Sequence, residues 1–186
     1  MANCIIVHGC PVDNEKAKDP ERRTYDEHWL PWTKDKLVSM GIPTEIPSMP
    51  RPWYPVYEDF RKEFERYDVG EDTVLVGHSC GCSFLVRWLG ETKKKIKKLV
   101  LVAPVKINSH SLCSEFYDFA VDPHISKRTE IIYFTSDDES DDGKKSLELL
   151  HDVLGGKVIE IKGYGHYMEK HMGTVECPEL VEEIIA

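Results

Sequence analysis

The sequence has no long apolar run. The longest uninterrupted apolar stretch in its 186 residues, Leu99 to Val105, is short, whereas crossing a bilayer takes about 20 apolar residues. Nor does the sequence begin with a basic region, an apolar segment and a cleavage site, so we expect no secretory signal and a cytoplasmic location. Apolar residues make up 41% and charged residues 31% of the chain, which is typical of a globular protein.

Positively charged residues are fewer than negatively charged ones. The chain has 24 Lys and Arg residues against 33 Asp and Glu residues, for a net charge of −9. Nucleic acids and anionic membranes would be repelled on average, so we expect neither as a partner. No Gly-x-Gly-x-x-Gly motif follows the first predicted strand, which argues against dinucleotide binding.

Closely spaced cysteine pairs are missing as well. No Cys-x-x-Cys motif occurs among the six cysteines, and their spacing is typical neither of a zinc site nor of a disulfide framework. This pattern predicts free thiols in a reducing compartment. The cysteines are Cys4, Cys10, Cys80, Cys82, Cys113 and Cys177.

One acidic segment resembles the beginning of a calcium loop. Asp138-x-Ser140-x-Asp142-Gly143 matches the first part of an EF-hand. The twelfth position is Leu149, where a bidentate glutamate is required. We therefore predict no metal site.

Short apolar runs alternate with longer amphipathic segments along the whole chain. The runs are continuously apolar, as strands are when both faces of a parallel sheet are covered by helices. The sequence therefore predicts one three-layer α/β domain over residues 1–186. The predicted strands are Cys4–Val7, Thr44–Ile46, Thr73–Val76, Leu99–Ala103, Ile131–Thr135 and Val158–Ile161. The predicted helices run from an N-cap at Thr24 to about Met40, and over Tyr54–Tyr67, Cys82–Leu89, Lys144–Leu154 and Val175–Ile185.

A Gly-x-Ser-x-Gly motif follows the third predicted strand and precedes an apolar helix. It reads Gly77-His78-Ser79-Cys80-Gly81. In this strand–turn–helix context the motif predicts a sharp turn that exposes a nucleophilic serine at the carboxyl edge of the sheet. The positive end of the following helix would favour negative charge that develops there.

A serine nucleophile needs a base, and the base needs an orienting acid. In hydrolases with this topology the acid and then the histidine follow the serine, each in a loop after a strand. His166 follows the last predicted strand and is the expected base; His171 is a weaker candidate. For the acid we favour Asp138, with Asp137 as the alternative, because the first residues after a strand lie nearest the sheet edge. The acidic cluster also contains Glu139, Asp141 and Asp142.

The oxyanion hole is expected to use two backbone N–H groups. One belongs to Cys80, the residue after the nucleophile, and the other comes from the loop after the first strand. That loop reads His8-Gly9-Cys10-Pro11. Proline has no N–H, so Cys10 is the expected second donor, and its thiol could then lie near that of Cys80.

With these motifs the chain resembles the small α/β-hydrolases of the retinoblastoma-binding-protein-9-like, or YdeN-type, serine hydrolase family. The resemblance extends over the full length and includes the turn Met49-Pro50-Arg51-Pro52. It implies strand order 2-1-3-4-5-6, little or no cap over the sheet, and a triad of Ser79, Asp138 and His166. Where the family usually has proline after the catalytic aspartate, this chain has Glu139.

The expected function is hydrolysis of a small ester, thioester or amide through an acyl-enzyme, without a metal or organic cofactor. A small-molecule acyl substrate is the expected partner, bound in a shallow open cleft; the sequence does not indicate an oligomeric state. The alternative is a catalytically weak or inactive protein of the same fold that acts as a binding or regulatory module, since fold alone does not guarantee activity.

Overall fold

A six-stranded sheet forms the centre of the molecule. The computed structural model describes residues 3–11, 28–109 and 113–186. Each pair of neighbouring strands is parallel, and the strand order is β2-β1-β3-β4-β5-β6. The strands are β1 (Cys4–Val7), β2 (Thr44–Glu45), β3 (Val74–His78), β4 (Lys98–Val102), β5 (Glu130–Thr135) and β6 (Lys157–Glu160). The predicted α/β class and strand order are confirmed.

Helices cover both faces of this sheet. The described ones are α1 (Trp29–Ser39), α2 (Tyr57–Phe64), α3 (Cys80–Thr92), α4 (Ser114–Tyr117), α5 (Asp141–Leu154), α6 (Glu169–Met172) and α7 (Pro178–Ile185), with a 3₁₀ helix at Pro123–Lys127. The sequence did not predict α4, the 3₁₀ helix or α6. The predicted N-cap, Thr24, lies outside the described residues.

Side chains of the central strands alternate between two apolar clusters. Ile5 and Val7 of β1 pack into the cluster that contains the buried residues of α2, α3 and α5. Cys4 and Ile6 point the other way, into the cluster formed with α1 and α7. This alternation, with both faces buried, explains why the central strands are continuously apolar.

The last strand departs from this pattern. β6 has a neighbour on one side only, and Val158 within it is 42% exposed. The expectation that every strand is buried on both faces is therefore wrong for this edge strand.

The carboxyl ends of parallel strands meet at one edge of a sheet, which is where ligands bind in α/β folds. The loops after β1, β3, β5 and β6 are therefore brought together, although they are far apart in sequence. Within the described parts of the chain, no helix is long and apolar enough to span a membrane.

Candidate active site

Ser79 occupies the sharp turn between β3 and α3. Its backbone has φ 54° and ψ −119°, a conformation that side-chain-bearing residues rarely adopt and that is concentrated at functional sites. The flanking glycines are required by close packing. A Cβ on Gly81 would collide with the carbonyl oxygen of Val7, and one on Gly77 would lie 2.8 Å from the backbone nitrogen of Cys82.

His166 lies in the loop after β6 and faces this serine. Its Nε2 is 2.9 Å from Ser79 Oγ. The loop is anchored on both sides of the imidazole: the buried Tyr167 hydroxyl donates to the Thr135 carbonyl at 2.8 Å, and the ring of His78 bonds the His166 carbonyl at 3.0 Å. Gly165, with φ 48°, makes the turn that presents the histidine.

The other imidazole nitrogen contacts Glu139. His166 Nδ1 is 2.9 Å from Glu139 Oε2, and Glu139 is only 5% exposed. The second carboxylate oxygen accepts a hydrogen bond from the backbone N–H of Ser140 at 2.7 Å. The Glu139 side chain fits because residue 143, in the first turn of α5, is a glycine. A Cβ on Gly143 would lie 2.6 Å from Glu139 Cγ.

The expected contact between Asp138 and His166 is therefore wrong. After β5 the chain turns back on itself, with the Glu139 N–H bonded to the Ser136 carbonyl at 3.2 Å. This turn points residue 139 inward over the sheet edge and leaves Asp138 exposed. Nearness to the end of the strand does not decide which carboxylate reaches the histidine; side-chain direction does.

The two aspartates instead hold the histidine loop. Asp138 Oδ1 accepts hydrogen bonds from the Ser136 hydroxyl at 2.5 Å and the Gly165 N–H at 2.8 Å. Asp137 Oδ1 accepts from the Gly163 N–H at 2.8 Å. The alternative acid, Asp137, is therefore also engaged away from the imidazole.

His171 also serves the loop rather than the nucleophile. Its Nδ1 accepts a hydrogen bond from the backbone N–H of His166 at 3.1 Å. It is thus a support for the residue that faces Ser79.

Electrostatics distinguish the titratable groups around the serine. Burial opposes ionisation of Glu139, but the hydrogen bond to His166 and the electrostatic attraction between the two groups outweigh it, so the pKa of this carboxyl lies below its usual value. Burial and the neighbouring His166 hold the pKa of His78 well below that of an ordinary histidine. His78 is therefore neutral at pH 7, and its ring adds no positive charge beside His166.

For the oxyanion hole the sequence predicts the backbone amides of Cys80 and Cys10. Cys80 is the first residue of α3, and Cys10 follows β1. Neither backbone N–H donates a hydrogen bond to any residue that the structure describes. Their role as oxyanion donors stays a prediction.

The side chains of these same two residues form a disulfide, with their Cα atoms 5.7 Å apart. The expectation of free thiols is wrong for this pair, because folding brings together two residues that are 70 positions apart. Cys4, Cys82, Cys113 and Cys177 are not disulfide-bonded.

A cleft of about 680 Å³ opens above Ser79 and His166. Its apolar lining residues are Pro11, Trp53, Pro55, Val105, Ile107 and Tyr117. Its polar lining residues include Asn108, Ser109, Asp141, Asp142 and Lys145. Phe116, in contrast, is 2% exposed and belongs to the core.

A family model described as serine hydrolase matches residues 22–183. The chain belongs to the serine hydrolase family. It is 26% identical over 157 residues to the YdeN protein of Bacillus subtilis (strain 168), a match that covers 80% of this chain and 82% of YdeN. The resemblance to YdeN-type hydrolases is thus confirmed, and the protein is a hydrolase.

Solved structures support the fold. The crystal structure of the ydeN gene product from B. subtilis matches with a TM-score of 0.82 at 23% identity, covering 100% of this chain and 97% of that one. Est1E from Butyrivibrio proteoclasticus, solved with ferulic acid bound, matches with a TM-score of 0.67 at 13% identity, covering 100% and 88%. At such identities these two matches establish the α/β-hydrolase fold alone.

Proposed function

We propose that this hydrolase cleaves small esters, thioesters or amides through an acyl-enzyme on Ser79, with His166 as base and Glu139 as the orienting acid. The observation that carries the proposal is the position of the imidazole, 2.9 Å from the serine hydroxyl on one side and 2.9 Å from the buried carboxylate on the other. A binding module of the same fold has no need of this arrangement.

Hydrogen-bond chemistry fixes the tautomer of His166. An ionised carboxylate can only accept, so the contact with Glu139 places the imidazole proton on Nδ1. The lone pair of Nε2 then faces the Ser79 hydroxyl and can take its proton. The carboxylate stabilises the positive imidazolium that results.

The reaction then proceeds in two halves. Ser79 Oγ attacks the carbonyl carbon while its proton passes to His166, and the negative oxygen is held by the N–H groups of Cys80 and Cys10. Collapse expels the alcohol, thiol or amine, which takes the proton from His166, and leaves an acyl-serine. Water attacks this ester with His166 as base again, and the acid is released as the serine regains its proton.

The cleft indicates the class of acyl group. Its apolar lining residues suit an aliphatic or aromatic acyl chain, and its charged lining residues are two carboxylates, Asp141 and Asp142, against one ammonium group, Lys145. Together with the net charge of −9, these carboxylates disfavour anionic substrates. We expect uncharged acyl groups to be preferred, and a panel of p-nitrophenyl esters of increasing chain length, with a ferulate ester in view of the Est1E complex, measures that preference.

A fluorophosphonate probe tests the mechanism, because it labels only an activated serine. We expect one adduct per chain by intact-protein mass spectrometry, and no adduct in Ser79→Ala or His166→Ala. Ser39→Ala and His124→Ala, which change exposed residues outside the cleft, are the matched controls and should label like wild type. A folded wild-type protein that takes up no probe would contradict the proposal and favour the binding module.

A further inference from the structure

The Cys10–Cys80 disulfide joins the two loops that supply the proposed oxyanion hole. It connects the loop after β1 to the first residue of α3. The two loops also pack tightly here, because a Cβ on Gly9 would lie 3.1 Å from Ser79 Cβ. The covalent link therefore lies directly beside the nucleophile.

Hydrogen bonds between described residues hold this loop as far as Gly9. His8 Nδ1 bonds the Gly9 carbonyl at 2.7 Å, and the Met49 N–H donates to His8 Nε2 at 3.1 Å. Within the described residues, no hydrogen bond attaches Cys10 itself to the body of the protein. Cys10 packs against the apolar cluster as a partly buried residue, and the disulfide adds the covalent link that holds it to α3.

The two cysteines differ in exposure. Cys10 is partly exposed and lines the cleft together with Ser79 and His166. Cys80 is 1% exposed. A thiolate that enters the cleft therefore meets the sulfur of Cys10, and Cys80 becomes the leaving group of the exchange.

The fold also favours Cys80 as a leaving group. It is the first residue of a 13-residue helix, and the positive end of a helix stabilises a thiolate. Exchange is faster when the departing thiol is stabilised as its anion.

We propose that Cys10–Cys80 is a thiol-reactive site through which thiols of the glutathione or thioredoxin class control turnover of the hydrolase. The inference rests on the proposed function of Ser79. A thiolate attacks Cys10 Sγ, forms a mixed disulfide and releases Cys80 as a thiolate. A second thiolate then attacks the reductant's sulfur in this mixed disulfide. The reductant leaves as its own disulfide, and Cys10 is released as a thiolate. Two electrons reduce the pair, and solvent protons complete the thiols.

Reduction lowers activity because it removes the bond that links the Cys10 loop to α3, so that the Cys10 N–H is no longer held at the active site. Loss of one oxyanion donor typically costs 10²- to 10³-fold in kcat, so we expect at least a tenfold fall in kcat on reduction, with KM little changed.

The test compares oxidised protein with reduced protein. The reductant is a phosphine, because thiols themselves cleave p-nitrophenyl esters, and it is removed under inert gas before the assay. Alkylation after denaturation should modify two more cysteines in the reduced sample. We expect kcat to fall at least tenfold and to recover on incubation with oxidised glutathione. An unchanged kcat, an increase on reduction, or no difference in alkylation would overturn the proposal.

Variants separate this site from the other cysteines. Cys10→Ser should have low turnover that reductant no longer changes, whereas Cys113→Ser, which alters another residue of the cleft lining, should keep the wild-type response to reductant. A reductant response that persists in Cys10→Ser, or one that disappears in Cys113→Ser, would contradict the assignment to Cys10–Cys80. If neither redox state takes up the fluorophosphonate probe, the proposed function fails rather than the redox inference.

Discussion

Adjacent carboxylates in this protein have different surroundings and therefore different tasks. Glu139 is buried against the imidazole of His166, while Asp138 lies exposed and bonds the backbone of the histidine loop. Hydrogen bonds from the Ser136 hydroxyl and the Gly165 N–H hold the pKa of Asp138 below its usual value. A negative charge at each position is stabilised, but only one of these charges can act on the reacting proton.

Replacing each acid by its amide separates the two roles. Glu139→Gln removes the charge that stabilises the imidazolium, and we expect kcat to fall by about 10²- to 10⁴-fold. Asp138→Asn is the matched control, because its amide oxygen can still accept from the Gly165 N–H, and we expect a change within about fivefold. Steady-state kinetics on a p-nitrophenyl ester measures both. A larger loss of kcat in Asp138→Asn than in Glu139→Gln would assign the role of the orienting acid to Asp138.

The turn between β3 and α3 depends on close approach between two elements. The first turn of α3 lies against the end of β1, and only a glycine at position 81 leaves room for the Val7 carbonyl. The backbone that exposes Ser79 is thus maintained by packing between a helix and a neighbouring strand, as well as by the local sequence.

Gly81→Ala should therefore destabilise the fold as well as reduce activity. Inserting a methyl group into a packed interior costs about 1–3 kcal/mol, and urea unfolding should show a loss of that size in the free energy of unfolding. Gly70→Ala is the control, because a Cβ there meets nothing within 4 Å, and it should lie within about 0.5 kcal/mol of wild type. Equal stability of the two variants would show that the turn between β3 and α3 can rearrange to accept the added methyl group.

The sequence predicted those parts of the site whose pattern is contained within a few neighbouring residues. Ser79 and His166 follow apolar strands and stand in glycine-containing turns, and both patterns can be read over a few residues. The acid could not be assigned in this way, because the direction of a side chain in a turn depends on what packs against it. One signal was present: Gly143, four residues after Glu139, makes room for that side chain. The Cys10–Cys80 pair had no local signal, since only the assembled sheet brings its members together.

At the scale of the whole molecule, a polar network connects the C-terminal end of α3 to the 3₁₀ helix. Arg128 Nη2 donates to the Leu89 carbonyl near the end of α3 at 2.9 Å and to Asp122 Oδ2 at 3.0 Å. Lys93 Nζ lies 3.1 Å from the same carboxylate oxygen. The helix that presents Ser79 at one end is thus fixed by charged hydrogen bonds at the other.

This network should contribute to stability in a pH-dependent manner. Burial opposes ionisation of Asp122, but the His124 N–H and the side chains of Arg128 and Lys93 outweigh it and lower the pKa to about 2. Because the folded-state pKa is depressed, the stabilisation is fully present above the unfolded pKa of about 4 and is lost as pH falls through about 2. Lys93 is largely exposed, so solvent screening limits the contribution to about 1–2 kcal/mol.

Asp122→Asn should accordingly lower the free energy of unfolding by about 1–2 kcal/mol at pH 7. The difference from wild type should shrink between pH 4 and pH 2, because the wild-type carboxylate then becomes neutral like the amide. Urea unfolding at a series of pH values measures this, with Asp152→Asn, an exposed position on α5, as the control that changes little at any pH. A difference that stays constant down to pH 2 would mean that Asp122 stabilises the protein through hydrogen-bond geometry and not through its charge.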